Sequence, residues 1–445
     1  ELGNIRTKTD GENNTTTYTY DKNGNMPTQT DAKGQTTTYE YNAANKAVRK
    51  INHGGRTGAA GNYSYVSSKT ESYTYYADGS LKTKTDRNQK TTIYTYDIHG
   101  RMIAETVGKI KNTYTYDCRG NQLTVTDQTG TTARTYDELG RVTSKKVPVI
   151  GTAYYQYDLT TGLGMLAGEQ AEITEDPSGN KTSKVYDRVG RLKAVRTGSN
   201  AEATVYHYRD NGSIESIVYP GGAREEYQYY ADNLLLMLTN KKADGTIIET
   251  YRYEYDNAHR MKNKQDAHGI TRYTYDERGR LKTVTEPGNK VTSYTYDAAG
   301  NRETEIVTVN GQTVESCAIK NSKYEYDEKN QLIKAIVDGK ETTYFYNAEG
   351  LRTAKAEDGV ITNRYFYEYD KVVLETDGNG KEIARNIYGI NLLAREIKNQ
   401  SIRETVYYMY NGHADVTALL DMTGKIIDTY YYDAFGNIIE AREKK

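Results

Sequence analysis

One stretch, Tyr273–Gly288 (YTYDERGRLKTVTEPG), limits what this chain can fold into more than any other feature, because it recurs. Tyr94-Thr95-Tyr96-Asp97 leads to Gly100-Arg101, Tyr114-Thr115-Tyr116-Asp117 to Gly120-Asn121, and Tyr294-Thr295-Tyr296-Asp297 to Gly300-Asn301. The same dipeptide opens units at Tyr20-Asp21, Tyr136-Asp137, Tyr157-Asp158, Tyr186-Asp187, Tyr255-Asp256, Tyr326-Asp327 and Tyr432-Asp433. A fixed period of about 20 residues marks a stacked-repeat architecture and overrides the domain count that length alone suggests.

Each unit reads as strand, turn, strand. In Thr17-Tyr18-Thr19-Tyr20 the tyrosines fall on one face and the threonines on the other. In the Asp-x-x-Gly that follows, Asp bonds its own backbone two residues on and Gly supplies a positive φ. So short a loop makes consecutive strands antiparallel. The chain has 45 Tyr against 3 Phe and no Trp, and its mean hydropathy of −0.86 would by itself suggest disorder. Tyrosine removes the paradox, since its ring packs while its hydroxyl stays near water or a partner.

The period breaks at residues 51–70, an insertion or rim loop, and again at Pro148 and Thr161–Gly168. Pro220-Gly221-Gly222 reads as a turn, Leu234–Leu238 as a strand, and the unit around Val307–Ser322 is lengthened. The fold class is all-β, a long antiparallel ribbon of hairpins. Roughly 18 two-strand units at ~4.8 Å per strand give a ribbon on the order of 170 Å. Long open sheets curl. Closed once, the ribbon would be roughly 50 Å across and hollow, with room for a domain of about 100 residues.

These repeats resemble the YD repeats of RHS-repeat proteins, which include bacterial polymorphic toxins of the Rhs and wall-associated type, the C component of Tc toxins, and teneurin shells. The resemblance covers nearly the whole chain. It implies a ribbon spiralling into a hollow shell over residues 1–405. Tyr408–Asn437 (YMYNGHADVTALLDMTGKIIDTYYYDAFGN) resembles the opening of the RHS repeat-associated core region, which assigns 406–445 to a truncated core. The function it implies is structural: a segment of a secreted or cell-surface bacterial toxin that encloses a C-terminal effector for use against competitors or a host. The partners implied are that toxin domain of the same polypeptide, an immunity protein for it, and cell-surface glycans. The alternative is a carbohydrate- or receptor-binding adhesion module. The chain opens on Glu1 in mid-pattern and stops at Lys445 after a repeat, as a piece of a larger protein would.

No enzyme, cofactor or metal site is expected. The nearest catalytic pair, His413 and Asp415, lacks a nucleophile. His53, His99, His207, His259 and His268 show no metal-ligand spacing. Asp21–Asn25 and Asp377-Gly378-Asn379-Gly380 invite calcium but lack the Glu and helical context of an EF-hand, and turn chemistry accounts for them. Gly54-Gly55 and Gly221-Gly222 lack the Lys-Ser/Thr and helix of a phosphate loop. Glu225 and Glu226 point to opposite faces of a strand and cannot flank one bond. Cys118 and Cys317 form neither a disulfide framework nor a metal motif. Acidic and basic residues balance to −1 without a basic run, so no nucleic acid is implied, and no apolar run is long enough for a membrane span.

Overall fold

The computed structural model describes residues 3–53, 56–57, 64–65, 68–198, 203–297, 300–316, 322–337, 339–399 and 402–443. Among these there are 42 strands, one 3-10 turn at Pro220–Gly222 and no α-helix. Among the described residues no helix is therefore long and apolar enough to cross a membrane. The chain divides into two compact units, Glu1–Lys111 with Arg252–Ser322, and Asn112–Tyr251 with Lys323–Lys445.

The repeat chosen from the sequence shows how the ribbon is made. Strands Gly269–Tyr275, Leu281–Glu286 and Lys290–Tyr296 pair antiparallel in order. Between the first two, Asp276 Oδ1 accepts from the backbone N–H of Arg278 and of Arg280 at 2.9 and 3.0 Å. Gly279 takes φ +76° to complete the reversal. The tyrosines face inward and Tyr273 is buried, while Thr274 and Thr283 join their hydroxyls across the outer face at 2.6 Å. The same threonine pair recurs at Thr19–Thr28, Thr74–Thr83, Thr115–Thr124 and Thr295–Thr304.

Simple alternation does not continue through the second tyrosine. A register shift falls just before it, as at Thr274/Tyr275, Thr295/Tyr296, Thr115/Tyr116 and Thr135/Tyr136. Such a bulge re-aims a side chain. Here the hydroxyl donates to the carbonyl that opens the neighbouring strand: Tyr275 to Met261, Tyr296 to Leu281, Tyr136 to Gln122, Tyr346 to Leu332. The residue after the turn glycine completes the lock. Arg280 Nε bonds Asp276 Oδ2 at 2.8 Å and its guanidinium lies 4.4 Å from the Tyr296 ring centre. Arg141 with Tyr157 and Arg191 with Tyr208 repeat this at 4.5 and 4.7 Å, and Arg260, which follows His259 in the glycine's place, does so with Tyr275 at 4.7 Å. Each lock adds about 1 kcal/mol from the hydroxyl bond and ~0.5–1 kcal/mol from the cation over the ring.

The expected irregularities sit where the period breaks. Ala47–His53 pairs directly with Ser68–Tyr75, and Arg56–Thr57 pairs separately with Ser64–Tyr65. Thr161–Gly168 carries no strand, and Leu235–Lys241 is one. Gly54, Gly55 and Cys317 lie outside the described residues, as do 317–321 of the lengthened unit.

Within each unit the ribbon also meets itself far along the chain. In the first unit the turn at Asp10–Asn14 abuts that at Asp256–Arg260: Glu12 accepts from Asn257 N–H at 2.8 Å, and a Cβ on Gly11 would stand 1.9 Å from the Asn257 carbonyl oxygen. One turn further, Lys33 pairs with Asp276 at 3.1 Å and Asp31 with Arg278. In the second unit contacts join residues 170 to 223 apart. That return is shorter than the single closure considered from the strand count. A buried cluster there takes Tyr206, Ile217 and Tyr219 from one run and Leu393, Met409 and Leu420 from the other.

Candidate functional site

The second unit holds a cavity of about 620 Å³ lined by both charged and aromatic side chains. Strands Val142–Val147, Gly151–Leu159, Gln170–Glu175 and Lys181–Tyr186 supply one side, and Val360–Glu368, Lys371–Thr376 and Glu382–Tyr388 the other. Alternation along Gly151–Leu159 sends Tyr155 and Tyr157 to the same face, and both line the cavity. Beside it, Ile150, Ala153, Phe366 and Leu374 form a small buried cluster that fixes the two runs.

Most charges at the cavity wall are already paired. Arg134 meets Glu349 at 2.7 Å. Arg141 meets Asp137 and Asp158 at 2.8 and 2.5 Å. Arg385 bonds Thr182 and lies 3.5 Å from Asp176. Lys145 donates to the Tyr367 carbonyl at 2.8 Å, and burial pulls its ammonium below the ordinary lysine range. Glu368 and Lys184 differ, because neither side chain has a hydrogen bond or ion pair among the described residues. Burial pushes the Glu368 carboxyl up, against the downward pull of Lys184 and Lys145. Burial likewise raises the Tyr155 phenol, and raises that of Tyr157 to about 12. The arrangement suits holding a polar ligand, and no nucleophile–base pair lines it.

A second polar cluster stands at the seam. Glu225 is fully buried and accepts from the hydroxyls of Tyr219 and Tyr227 and from the Tyr410 N–H at 2.9 Å. Burial raises its carboxyl despite these bonds. Glu226 points the other way, to Arg224 and Lys241, in keeping with opposite faces.

The residues singled out from the sequence go mainly to turns. His413 and Asp415 are 4.0 Å apart, but Asn411 organises both, its side-chain oxygen accepting from their backbone N–H groups. Asp21 binds Asn23 and Asn25, and Asp377 binds Asn379 and Lys381, in the ordinary turn pattern. His53 ends a strand, His99 and His268 donate their N–H to turn aspartates, His259 takes φ +61° in a turn, and His207 is a strand residue. Cys118 is exposed. No described group of three or more His, Cys, Asp or Glu could hold a metal. Glu225 was weighed only as a neighbour of Glu226, and Lys145 and Glu368 were not singled out. Parity with Tyr227 does place Glu225 on the tyrosine face; Lys145 and Glu368 carry no comparable mark.

The repeats have recognisable counterparts. The RHS Repeat family matches residues 1–36 and 275–313, and the Teneurin YD-shell family matches 79–170. Over these stretches the chain carries RHS and YD repeats. The tRNA nuclease WapA of Bacillus subtilis (strain 168) is 26% identical over 287 residues, covering 57% of this chain and 12% of WapA. Double-stranded DNA deaminase toxin A of Burkholderia cenocepacia (strain H111) is 26% identical over 238 residues, 47% of this chain and 16% of that protein. The chain thus spans a small part of the length of these relatives. The crystal structure of TcdB2-TccC3-Cdc42 superposes with a TM-score of 0.51 at 14% identity, covering 98% of this chain and 31% of its counterpart. A Photorhabdus luminescens Tc holotoxin pore gives 0.50 at 14% identity, covering 98% and 30%. The fold is therefore that of Tc toxin YD-repeat shells.

Proposed function

We propose that this chain is a non-catalytic shell segment of a secreted or cell-surface bacterial RHS toxin, and that it encloses an effector domain of the same polypeptide for delivery against competing bacteria or a host. The supporting observation is that one repeat ribbon is shared by relatives named for two unrelated chemistries, tRNA cleavage and DNA deamination, while the match covers only 12% and 16% of their lengths. A stretch common to both chemistries is better suited to carrying them than to performing either. The locks described above suit this work: they are repeated and local, and no single one is a reaction centre. On this reading residues 406–445 begin the core region, the effector follows it, and an immunity protein protects the producing cell.

The test is expression of the parent polypeptide with roughly 200 further residues, a generous domain length, in cells with and without the neighbouring candidate immunity gene. A C-terminal piece that is released and harms only unprotected cells is expected. An intact, harmless product that adheres to cell surfaces would overturn enclosure in favour of adhesion.

A further inference from the structure

The cavity of the second unit holds opposite charges that do not meet. Glu368, on Val360–Glu368, and Lys184, on Lys181–Tyr186, both line it, and neither side chain has a hydrogen bond or ion pair among the described residues. Burial raises the Glu368 carboxyl, and the strongest opposing pull on it is that of Lys184, so the two charges act on each other across a gap they do not close. Lys145 spends one donor on the Tyr367 carbonyl and retains two. Glu172 stands opposite Lys184 in the strand register, yet it accepts from the Tyr186 hydroxyl at 3.0 Å instead. A charge drawn out of water costs free energy unless an opposite charge in good geometry compensates it. Here both signs are present, and the strands hold them apart.

We propose that this cavity binds a small zwitterion, an α-amino acid with an apolar or aromatic side chain, its carboxylate toward Lys184 and Lys145 and its ammonium toward Glu368. A volume of about 620 Å³ lies in the range of small-ligand sites, which combine apolar walls with a few convergent polar groups. The charges decide the class. Ionised Glu368 can only accept, and the two lysines can only donate. A ligand with an anionic group alone would satisfy the lysines but meet Glu368. An amine alone would satisfy Glu368 but meet the lysines. An uncharged polyol would leave both signs without a counter-charge. A zwitterion supplies each where its opposite stands. Tyr155 and Tyr388 line the same space and offer ring faces to an apolar side chain. Such a ligand would bridge the runs 142–186 and 360–388, whether or not the segment encloses cargo.

Calorimetry on the intact chain would compare L-phenylalanine with phenethylamine, which lacks the carboxylate, and 3-phenylpropionate, which lacks the amine. L-Phenylalanine should bind saturably and raise the melting temperature, as a ligand of the native state does. Each single-charge analogue should bind about tenfold more weakly, as expected for loss of one charged hydrogen bond. The variants should then separate the two poles. Glu368→Gln should weaken L-phenylalanine about tenfold and leave 3-phenylpropionate unchanged or tighter. Lys184→Met should weaken L-phenylalanine similarly and leave phenethylamine unchanged or tighter. A variant that merely loosened the wall would weaken all three probes alike. No binding of L-phenylalanine, equal binding of an analogue, or uniform losses in both variants would each overturn the proposal. Should either variant fail to fold, the three probes on the wild-type chain decide it.

Discussion

Glu225 shows what a single residue contributes here. Its carboxyl is held by two phenols and one backbone N–H from a strand 185 residues away. Glu225→Ala leaves three buried donors unpaired and should cost about 3 kcal/mol or more, on the order of the desolvation penalty of those groups. Glu225→Gln keeps an acceptor and should cost much less. The pH dependence distinguishes charge from packing. Because burial raises the folded carboxyl above its unfolded value, this group favours folding most below the unfolded value, and that contribution is lost as pH rises through the folded one. Urea melts at about pH 5 and about pH 8 should therefore show wild type gaining on the Gln variant at the lower pH. An equal gap at both would refute a buried, titrating Glu225.

At the level of elements, the turns act as joints as well as reversals. The Asp31 and Asp276 turns of the first unit are near copies, yet they meet through Lys33–Asp276 and Asp31–Arg278. Burial raises the Asp276 carboxyl, but the Arg280 side chain and backbone, Lys33 and the Arg278 N–H outweigh it and bring it to about 2. A carboxyl depressed in the fold stabilises above its unfolded value and loses that contribution as pH falls through the folded one. The contribution is about 2 kcal/mol and disappears between about pH 4 and about pH 2. Lys33→Met should reduce it, so that urea midpoints followed across this window fall less steeply in the variant. Parallel curves would mean that the joint carries no such energy.

At the scale of the molecule, stability is not purely nearest-neighbour. Repeat arrays are approximately one-dimensional, each unit touching only the next. In the second unit, by contrast, Tyr206, Ile217 and Tyr219 are buried against residues supplied by Leu393, Met409 and Leu420. A chain ending at residue 322 keeps every ladder of 112–251 but loses that half of the cluster. Limited proteolysis should then cut within 192–229, where the full chain resists. Persistent protection would show that the ladders and tyrosine locks suffice alone.

The sequence by itself determined most of what acts within one period. Asp-x-x-Gly specifies the reversal, Tyr/Thr alternation the inward and outward faces, and the interruptions at 51–70 and 161–168 the breaks, because each depends on bonds between residues a few positions apart. It also placed Glu225 and Glu226 on opposite faces. The bulge before the second tyrosine was less legible, since it follows from a hydroxyl reaching the neighbouring strand and leaves no mark in the pattern. Only tertiary structure decided which turn meets which, and hence that Glu225 is buried beneath Tyr410 and that Lys145, Lys184 and Glu368 share one cavity. The physical reason is degeneracy: near-identical units offer many equivalent long-range pairings, and the choice among them rests on packing across some 200 residues that no local periodicity encodes.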